Sequence, residues 1–486
     1  MNNRFKMSRV LSWPRAPGLW RWGAILVASM VSLVAGSPYL AHRSPFSPLF
    51  TFGLLLVPII CLMILKNPPL ALYAALFMLV IPPGIIPGDL HLLFTRFFTL
   101  AALGTWALEM IAQRRPMVWT STMLLMLVFL GWSTATLLWA SNLSVAIDTL
   151  ITYILRFALC LVLISNEITT KKTLSGLMHT LALSGWLFVL IGIGTVLLGD
   201  YQIGTRLQIL GGNENTLGGL FPLVVPAVLW QANRDEERVG LIHRLLGIVF
   251  IAASLLLVAL SGSRGSAIAW TVTVTGFVLW RRTRFWGVVG LLMLATAAIA
   301  APLLFYTTLG RFGVHPGDTA LGGREAIWQA ALLVIREHLW LGTGVGNAPY
   351  EVMPHLRELR SVWQYEWAAI HNPLLAVLAD TGLPGLFLYT GVLISAIWSF
   401  IRQWRRHHEI GLVGLGGYFP LVASACAGYL SDWIKGGGAE TNITYFLMLA
   451  LLLIPAQWNR QEWGRQTAHN KIISSADREL WTAVGG

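Results

Sequence analysis

The sequence predicts an all-α polytopic membrane protein of roughly 12 to 14 transmembrane helices with a large extracytoplasmic helical loop. The first observation is composition, since 56% of the 486 residues are hydrophobic and only 12% are charged. A soluble domain carries about 25% charged residues. The other two observations are the recurrence of long apolar runs and the alternation of Lys and Arg between the connections that separate them.

The apolar runs have the length of membrane-spanning helices, roughly 17 to 25 residues. The N-terminus is basic and then apolar, like a signal peptide. Its apolar run nevertheless reaches a full span and lacks a small-x-small cleavage site, so it is predicted to be a retained helix. Spans are predicted at 22–41, 46–65, 68–86, 93–112, 119–138, 144–165, 173–198, 215–231, 241–260, 265–280, 285–306, 383–401, 410–430 and 439–456.

The basic residues predict the orientation, because Lys and Arg are retained on the cytoplasmic side. With the N-terminus inside, 23 of the 34 basic residues fall on the cytoplasmic side and ten on the other. The remaining one, Arg156, lies inside a span, where a charge usually faces a cavity or a partner. We therefore expect both termini in the cytoplasm and the longest loop outside.

Four segments follow from this topology. They are an N-terminal transmembrane bundle (1–307), an extracytoplasmic loop or lid (308–382), C-terminal transmembrane helices (383–456) and a cytoplasmic tail (457–486). The loop is the only long stretch of mixed polarity within the membrane-embedded part of the sequence, so we expect active-site residues there.

Several classes of function are disfavoured. The formal charge of +12 is explained by topology and anionic headgroups, so nucleic acid is not an expected partner. Cys61, Cys160 and Cys426 each lie in apolar runs and form neither a metal motif nor a disulfide framework. No HExxH, nucleophile elbow, Walker lysine or DxD-like pair is present, which argues against metalloproteases, serine hydrolases, ATPases and metal-dependent nucleotide-sugar enzymes. Neither a metal nor a cofactor is predicted.

Two outer connections carry candidate anion-binding groups. The loop 199–214 contains Arg206 and leads into a turn with Asn213 and Asn215 at a helix start, which either binds an anion or merely caps the helix. The short turn Ser261–Ser266 places Ser263 and Arg264 at the membrane boundary. A guanidinium there can bind two phosphate oxygens, or it can simply reach the lipid headgroups.

The long loop carries the remaining candidates. Arg324 opens an amphipathic helix whose apolar side includes Ile327, Trp328, Ala331 and Ile335, and a turn with Gly342, Gly344 and Gly346 follows. Glycines at this spacing after a helix predict close backbone approach rather than dinucleotide binding. His371 and Asn372 follow where hydrophobicity resumes; an imidazole there is either a general base or a structural hydrogen-bonding group. Asp380 is either its partner or a capping carboxylate.

In this order, the motifs resemble the O-antigen ligase and polymerase superfamily of bacterial membrane glycosyltransferases, which use polyprenyl-diphosphate-linked glycans. The resemblance covers Gly211 to Tyr389. It departs in the number of helices, about fourteen against about twelve for typical ligases, which leaves the N-terminal spans open. The matching motifs are Asn213-Glu214-Asn215, Ser263-Arg264-Gly265, Gly323-Arg324 with Trp328, Gly342 to Gly346, His371-Asn372 and Gly382 to Gly385.

The resemblance implies a GT-C-like helical bundle with a periplasmic lid, in which Arg264 and Arg324 hold the diphosphate and His371 assists the acceptor hydroxyl. Arg206, Asn213, Asn215, Ser263, Asn372 and Asp380 are the predicted substrate-binding residues. The donor would be a glycan on undecaprenyl diphosphate. The acceptor would be lipid A-core, another glycan or a protein. The chain itself would lie in the bacterial inner membrane, in contact with membrane lipids.

The sequence leaves alternatives open. A ligase, a polymerase and a protein O-oligosaccharyltransferase differ in acceptor, which the sequence does not reveal. A flippase or transporter of lipid-linked glycans belongs to another class. It should show two related halves or paired broken helices, and the sequence has neither.

Overall fold

The computed structural model describes thirteen helical segments. Its described residues are 69–81, 88–113, 117–198, 207, 216–232, 241–279, 283–304, 324–359, 368–407, 422, 426 and 445–455. The predicted spans 22–41 and 46–65, nearly all of 410–430 and the tail 457–486 lie outside them.

Every regular element in the described part of the chain is helical. The helices are α1 (Pro69–Val80), α2 (Gly88–Gln113), α3 (Ser121–Ala135), α4 (Leu143–Arg156), α5 (Lys171–Leu197), α6 (Thr216–Ala232), α7 (Leu241–Ser261), α8 (Arg264–Leu279), α9 (Arg284–Leu304), α10 (Arg324–Glu337), α11 (Ala348–Leu359), α12 (Pro373–His407) and α13 (Tyr445–Pro455). A 3₁₀ turn, Thr136–Leu138, extends α3.

Among the described residues, six segments are long and apolar enough to cross a membrane, and four shorter apolar helices accompany them. The six long segments begin and end within a few residues of the predicted spans, except that the segment in α12 begins ten residues before its predicted span. The prediction of an all-α polytopic membrane protein is confirmed. The six segments are His91–Ala112, Ser121–Leu138, Leu143–Glu167, Lys172–Leu197, Leu241–Ser261 and Pro373–Arg402.

Polar caps set where several of these helices begin. The side chains of Thr120, Asn142 and Thr170 each accept a hydrogen bond from a backbone N–H of the first turn of α3, α4 and α5. The first-turn N–H groups of a helix have no partner within it. Caps at these positions allow the chain to leave the apolar spans without burying unpaired backbone donors.

The described chain divides into two compact units. The first contains the start of α1 up to Ala75 and α2 from Asp89 onward. The second contains Leu76–Gly88 and everything from Val118. In the first unit, Phe97 and Phe98 are buried and their rings meet edge to face at 5.2 Å. The second unit holds all the candidate site residues.

In the second unit, α5 to α9 form one group of packed helices. Small residues permit close approach, since an added Cβ on Gly185 of α5 would press against Val224 of α6 and Phe250 of α7. The buried indole of Trp270 in α8 donates to Ser254 Oγ in α7 over 3.2 Å. This group carries the turn that contains Arg264.

The other group consists of α3, α4, α10, α11, α12 and α13. Its apolar core includes an aromatic cluster in which the rings of Tyr389 and Tyr445 stack at 4.4 Å. Phe129, Tyr153 and Phe446 complete the cluster. This group carries Arg324 and His371.

After Arg156, α4 widens into a π-helical stretch, Phe157–Ile164, before a last α-helical turn. The sequence does not predict this change. Arg156 is half-buried at the junction, within the segment that is long enough to span the membrane. Such stretches are rare and often lie near functional sites.

Hydrogen bonds at the two ends of the α3–α4 pair agree with the predicted alternation. At one end the Val118 N–H donates to Asn166 Oδ1 over 3.1 Å, and both residues are predicted to face the cytoplasm. At the other end the Asn142 N–H donates to Asn347 Oδ1 over 2.8 Å, and both are predicted to lie outside. Segments assigned to the same side are thus in contact, as an up-and-down pair requires.

Helix α12 consists of two helical parts on either side of a kink at Gly382, whose backbone is not helical, and the predicted span 383–401 corresponds to the second part. The kink interrupts the helical hydrogen bonding, and neighbouring elements supply partners. The Trp132 indole donates to the Thr381 carbonyl over 2.8 Å. The Leu383 N–H donates to the Leu339 carbonyl over 3.0 Å. A kink whose backbone groups are paired in this way is stable at the membrane boundary.

The kink yields a prediction for two glycines of the same helix. Gly382 has φ +67°, and a Cβ there would overlap the Trp340 carbonyl, whereas Gly391 has open space around its Cα. We expect Gly382→Ala to destabilise the protein by at least about 2 kcal/mol. Gly391→Ala should be neutral or stabilising, by up to about 1 kcal/mol. Thermal unfolding in detergent micelles measures both, and equal midpoints would contradict the proposed tight contact.

Candidate active site

Helix α10 positions Arg324 and Trp328. Its buried face comprises Ile327, Ala330, Ala331, Val334 and Ile335, which confirms the predicted amphipathic pattern. Trp328 is half-buried. Arg324 opens the helix, four residues before Trp328, so the two side chains lie on one face.

The indole of Trp328 connects α10 to the segment that contains His371, the predicted general base. Its Nε1–H donates to the carbonyl of Ile370 over 2.9 Å, and Ile370 immediately precedes His371. Residues more than forty positions apart in sequence therefore meet through a direct hydrogen bond. The helix that carries Arg324 and the segment that carries His371 form one local structure.

His371 has an unusual backbone conformation. Its φ is +60°, which makes it the one non-glycine residue with positive φ in the described part of the chain. L-residues rarely adopt this left-handed conformation, and outside glycine it is often found at functional sites. The surrounding hydrogen bonds hold His371 there despite the cost.

Asn372 starts helix α12. Its Oδ1 accepts hydrogen bonds from the N–H groups of Leu374 and Leu375, over 3.0 and 3.2 Å. Pro373 occupies the first helical position, where a missing N–H costs nothing. The side chain of Asn372 therefore caps the helix that begins directly after His371. Its contact with substrate stays a prediction.

The backbone of His371 yields a stability prediction. Ala and Gly both remove the imidazole, but only Gly adopts φ +60° without steric strain. We expect His371→Gly to be more stable than His371→Ala by about 1 kcal/mol. The thermal midpoints of the two variants in detergent test this. A lower midpoint for the glycine variant would contradict the left-handed backbone.

The glycine turn between α10 and α11 makes the close backbone contacts predicted from its spacing. Gly342, Gly344 and Gly346 have φ values of +71°, +99° and +78°. A Cβ on each would overlap, in turn, the Asp380 backbone, Ala140 and Thr149. Only glycine fits these three positions, so the turn presses against α12, α4 and the connection between α3 and α4.

Hydrogen bonds also join the glycine turn to these neighbouring segments. The N–H groups of Thr343 and Gly344 donate to the carbonyls of Ala379 and Asp380, both over 2.9 Å. The Val345 N–H donates to Thr136 Oγ1 over 3.0 Å. The turn is thus bonded on both sides and buried from Gly342 to Pro349.

Asp380 is buried, and its Oδ1 accepts a hydrogen bond from the N–H of Ala348, the first residue of α11, over 2.8 Å. A carboxylate at this position favours the positive end of the helix dipole. This hydrogen bond corresponds to the capping carboxylate that the sequence left as one interpretation. A role of Asp380 in substrate binding stays a prediction.

Asn347 is a buried residue of the site that no sequence motif indicated. This buried side chain accepts hydrogen bonds from Ser141 Oγ and the Asn142 N–H, and it donates to the Val345 carbonyl. It joins the glycine turn to the α3–α4 connection. Its position directly after the third glycine is the only signal in the sequence that could have pointed to it.

The turn before α8 also has paired backbone groups. Gly262 has φ +60°, the Ser263 N–H donates to Ser261 Oγ, and Ser263 Oγ accepts from the Ser266 N–H. Ser263 therefore caps α8, and Arg264 is the first residue of that helix. The Ser266 hydroxyl is buried and has no hydrogen-bond partner within the described chain.

Leu207 is the one described residue of the loop 199–214 that is predicted to contribute Arg206. Its N–H donates to the Leu260 carbonyl at the C-terminal end of α7 over 3.0 Å, one residue before the turn begins. Arg206, Asn213 and Asn215 themselves lie outside the described residues.

The predicted residues thus fall into two places. Arg324 and His371 are linked through Trp328, whereas Ser263 and Arg264 lie at the start of α8, beside Leu207. A single pocket containing Arg264 and His371 stays a prediction. The described part of the chain also contains no group of three His, Cys, Asp or Glu side chains that could hold a metal ion.

Comparison with protein families identifies the segment that contains these residues. Residues 248–390 match the family model described as O-antigen ligase. They form an O-antigen ligase domain. The matched segment contains Arg264, Arg324 and His371, and the family implies ligase or polymerase activity of the glycosyltransferase type on lipid-linked glycans. The chain matches no curated protein.

The O-antigen ligase domain confirms the resemblance drawn from the motifs. It begins at residue 248, so the predicted Asn213-Glu214-Asn215 motif lies before the matched segment. It ends at residue 390, directly after Tyr389 of the aromatic cluster. Within the domain, α10, α11 and the first part of α12 carry the glycine turn and the Trp328–Ile370 contact.

Proposed function

We propose that this protein transfers a glycan from undecaprenyl diphosphate to an acceptor hydroxyl at the outer face of the cytoplasmic membrane. The observation that carries the proposal is the Trp328–Ile370 hydrogen bond, because it unites the helix of Arg324 with the segment of His371. A cation and an imidazole held in one local structure suit the departure of a diphosphate and the activation of an alcohol.

In the proposed reaction, the acceptor oxygen attacks the anomeric carbon of the glycan. A new carbon–oxygen bond forms as the bond from that carbon to the diphosphate breaks. The diphosphate leaves with the electron pair, and the acceptor proton passes to the imidazole of His371. The guanidinium groups of Arg264 and Arg324 stabilise the charge that develops on the diphosphate, in the role that a metal ion fills in other transferases.

The contacts of the outer connections support the placement of this chemistry. The glycine turn lies against the α3–α4 connection, and Leu207 lies against the end of α7. The glycine turn, the α3–α4 connection and the loop of Leu207 are predicted to be extracytoplasmic, and the span of α7 is predicted to end at that side. A periplasmic site for a lipid-linked donor follows from this topology. The remaining predicted substrate contacts are Arg206, Asn213, Asn215, Ser263, Asn372 and Asp380.

Substitution of the three central residues tests the proposal. In membranes supplied with undecaprenyl-diphosphate glycan and acceptor, we expect His371→Ala, Arg264→Ala and Arg324→Ala each to lower glycan transfer by at least about 100-fold. The reason is the loss of the proton acceptor or of charge stabilisation in the transition state. Gel-resolved glycan products measure the rate, and immunoblotting measures protein level.

Two matched controls lie near the same helix. Arg336 and His338 are exposed at the C-terminal end of α10, twelve and fourteen residues from Arg324. Arg336→Ala and His338→Ala should transfer glycan at the normal rate. Normal transfer by His371→Ala, Arg264→Ala and Arg324→Ala would refute the proposed roles.

Among the family activities, we propose the ligase, since the matched family is described as O-antigen ligase. The glycan profile of a deletion strain distinguishes the two main activities. A ligase attaches the glycan to its final acceptor, so we expect the deletion to abolish attachment of surface glycan altogether. Attachment of a single repeat unit in that strain would instead identify a polymerase. The profile is read from silver-stained envelope extracts.

A further inference from the structure

We propose that Trp328 is the positioning residue for His371, an inference that rests on the function proposed above. Its indole holds the peptide that precedes His371 and thereby aims the imidazole. The same side chain belongs to the helix of Arg324, so it also sets the separation between the base and the diphosphate-binding guanidinium.

Hydrogen bonds to three helices hold the segment Ala368–Asn372 in place. The Ala368 N–H donates to the carbonyl of Pro349 in α11 over 3.0 Å. The Ile370 carbonyl accepts from Trp328 Nε1 over 2.9 Å. Asn372 then caps α12. The segment is thus held by α11, α10 and α12 in succession, and His371 lies between the last two attachments.

The geometry of the peptide unit makes the Trp328 contact decisive. The Ile370 carbonyl and the His371 nitrogen belong to one rigid plane. A hydrogen bond that fixes the direction of this carbonyl fixes the orientation of the plane, and the cap at Asn372 fixes the chain on the other side. Together they determine the rotation about the N–Cα bond of His371, which is its φ of +60°.

The left-handed conformation is unfavourable for histidine, so without an external hold the backbone would relax toward negative φ. That relaxation would turn the Cα–Cβ bond and move the imidazole away from its position. Proton transfer requires a base within hydrogen-bond distance of the acceptor hydroxyl. A small displacement of the imidazole therefore lowers the rate of the chemical step more than it weakens donor binding.

A purely structural role for Trp328 is the competing interpretation, and the chain offers a matched control. Trp132 also donates its indole N–H to a backbone carbonyl, that of Thr381 in α12, over 2.8 Å. Both side chains are half-buried. The two contacts are alike in chemistry, and their acceptor carbonyls lie eleven residues apart along the chain. Only the Trp328 contact adjoins His371.

The experiment compares Trp328→Phe with Trp132→Phe in the full-length protein, in membranes supplied with undecaprenyl-diphosphate glycan and acceptor. Each substitution keeps an aromatic ring and removes the N–H donor. We expect Trp328→Phe to lower kcat about tenfold or more with the KM for the donor little changed. Trp132→Phe should keep kcat within about twofold. Thermal midpoints should fall by similar amounts in both variants.

Each outcome decides a question. Equal kcat values for the two variants would overturn the positioning role and make Trp328 a structural residue. A higher KM for the donor with unchanged kcat would also overturn it, since that pattern indicates donor binding. His371→Ala is measured alongside: if it is inactive while Trp328→Phe has normal kcat, only the positioning role fails. If His371→Ala transfers glycan normally, the proposed function itself fails.

Discussion

The close backbone approach between the glycine turn and the kink of α12 is the contact on which the candidate site depends. Gly342 and Gly382 bring the two segments so near that a methyl group at either position would overlap the other segment's backbone. The hydrogen bonds of Thr343, Gly344 and Leu383 then hold the chain that follows α10 against α12. Trp328 meets Ile370 at the other end of this pair, eleven residues before Leu339 and thirteen before Leu383, so the two segments run side by side in the same direction.

The same contact explains how irregular backbone can exist beside membrane spans. Unpaired N–H and C=O groups are costly in or near the hydrocarbon region. The turn and the kink pair each other's backbone N–H and C=O groups. Side-chain hydrogen bonds of Trp132, Thr136 and Asn347 join both of them to the α3–α4 pair. The Trp328–Ile370 hydrogen bond and the Asn372 cap then attach His371 to this scaffold on either side, in a conformation that histidine would not adopt alone.

Much of the fold was predictable because membrane spans impose a local rule. Each span must be a long apolar helix, so hydropathy places α2 to α5 and α7 within a few residues of their observed ends. The kink at Gly382 matches the turn predicted there, and only the helical part before it, 373–381, was not predicted. The two parts stay joined because other elements supply hydrogen bonds to the backbone at the kink. Here Trp132 and Leu339 supply them. The π-helical stretch after Arg156 has no comparable local signal.

By itself, the sequence determined the membrane class, the all-helical fold and the residue types of the candidate site, since each depends on composition, length or a short motif. It also indicated the family, which the match at residues 248–390 supports. Only the tertiary structure decided that Trp328 contacts Ile370, that His371 is left-handed and that Asp380 caps α11. These features depend on backbone atoms of segments far apart in the chain, and no local pattern of side chains encodes which carbonyl a distant donor will reach.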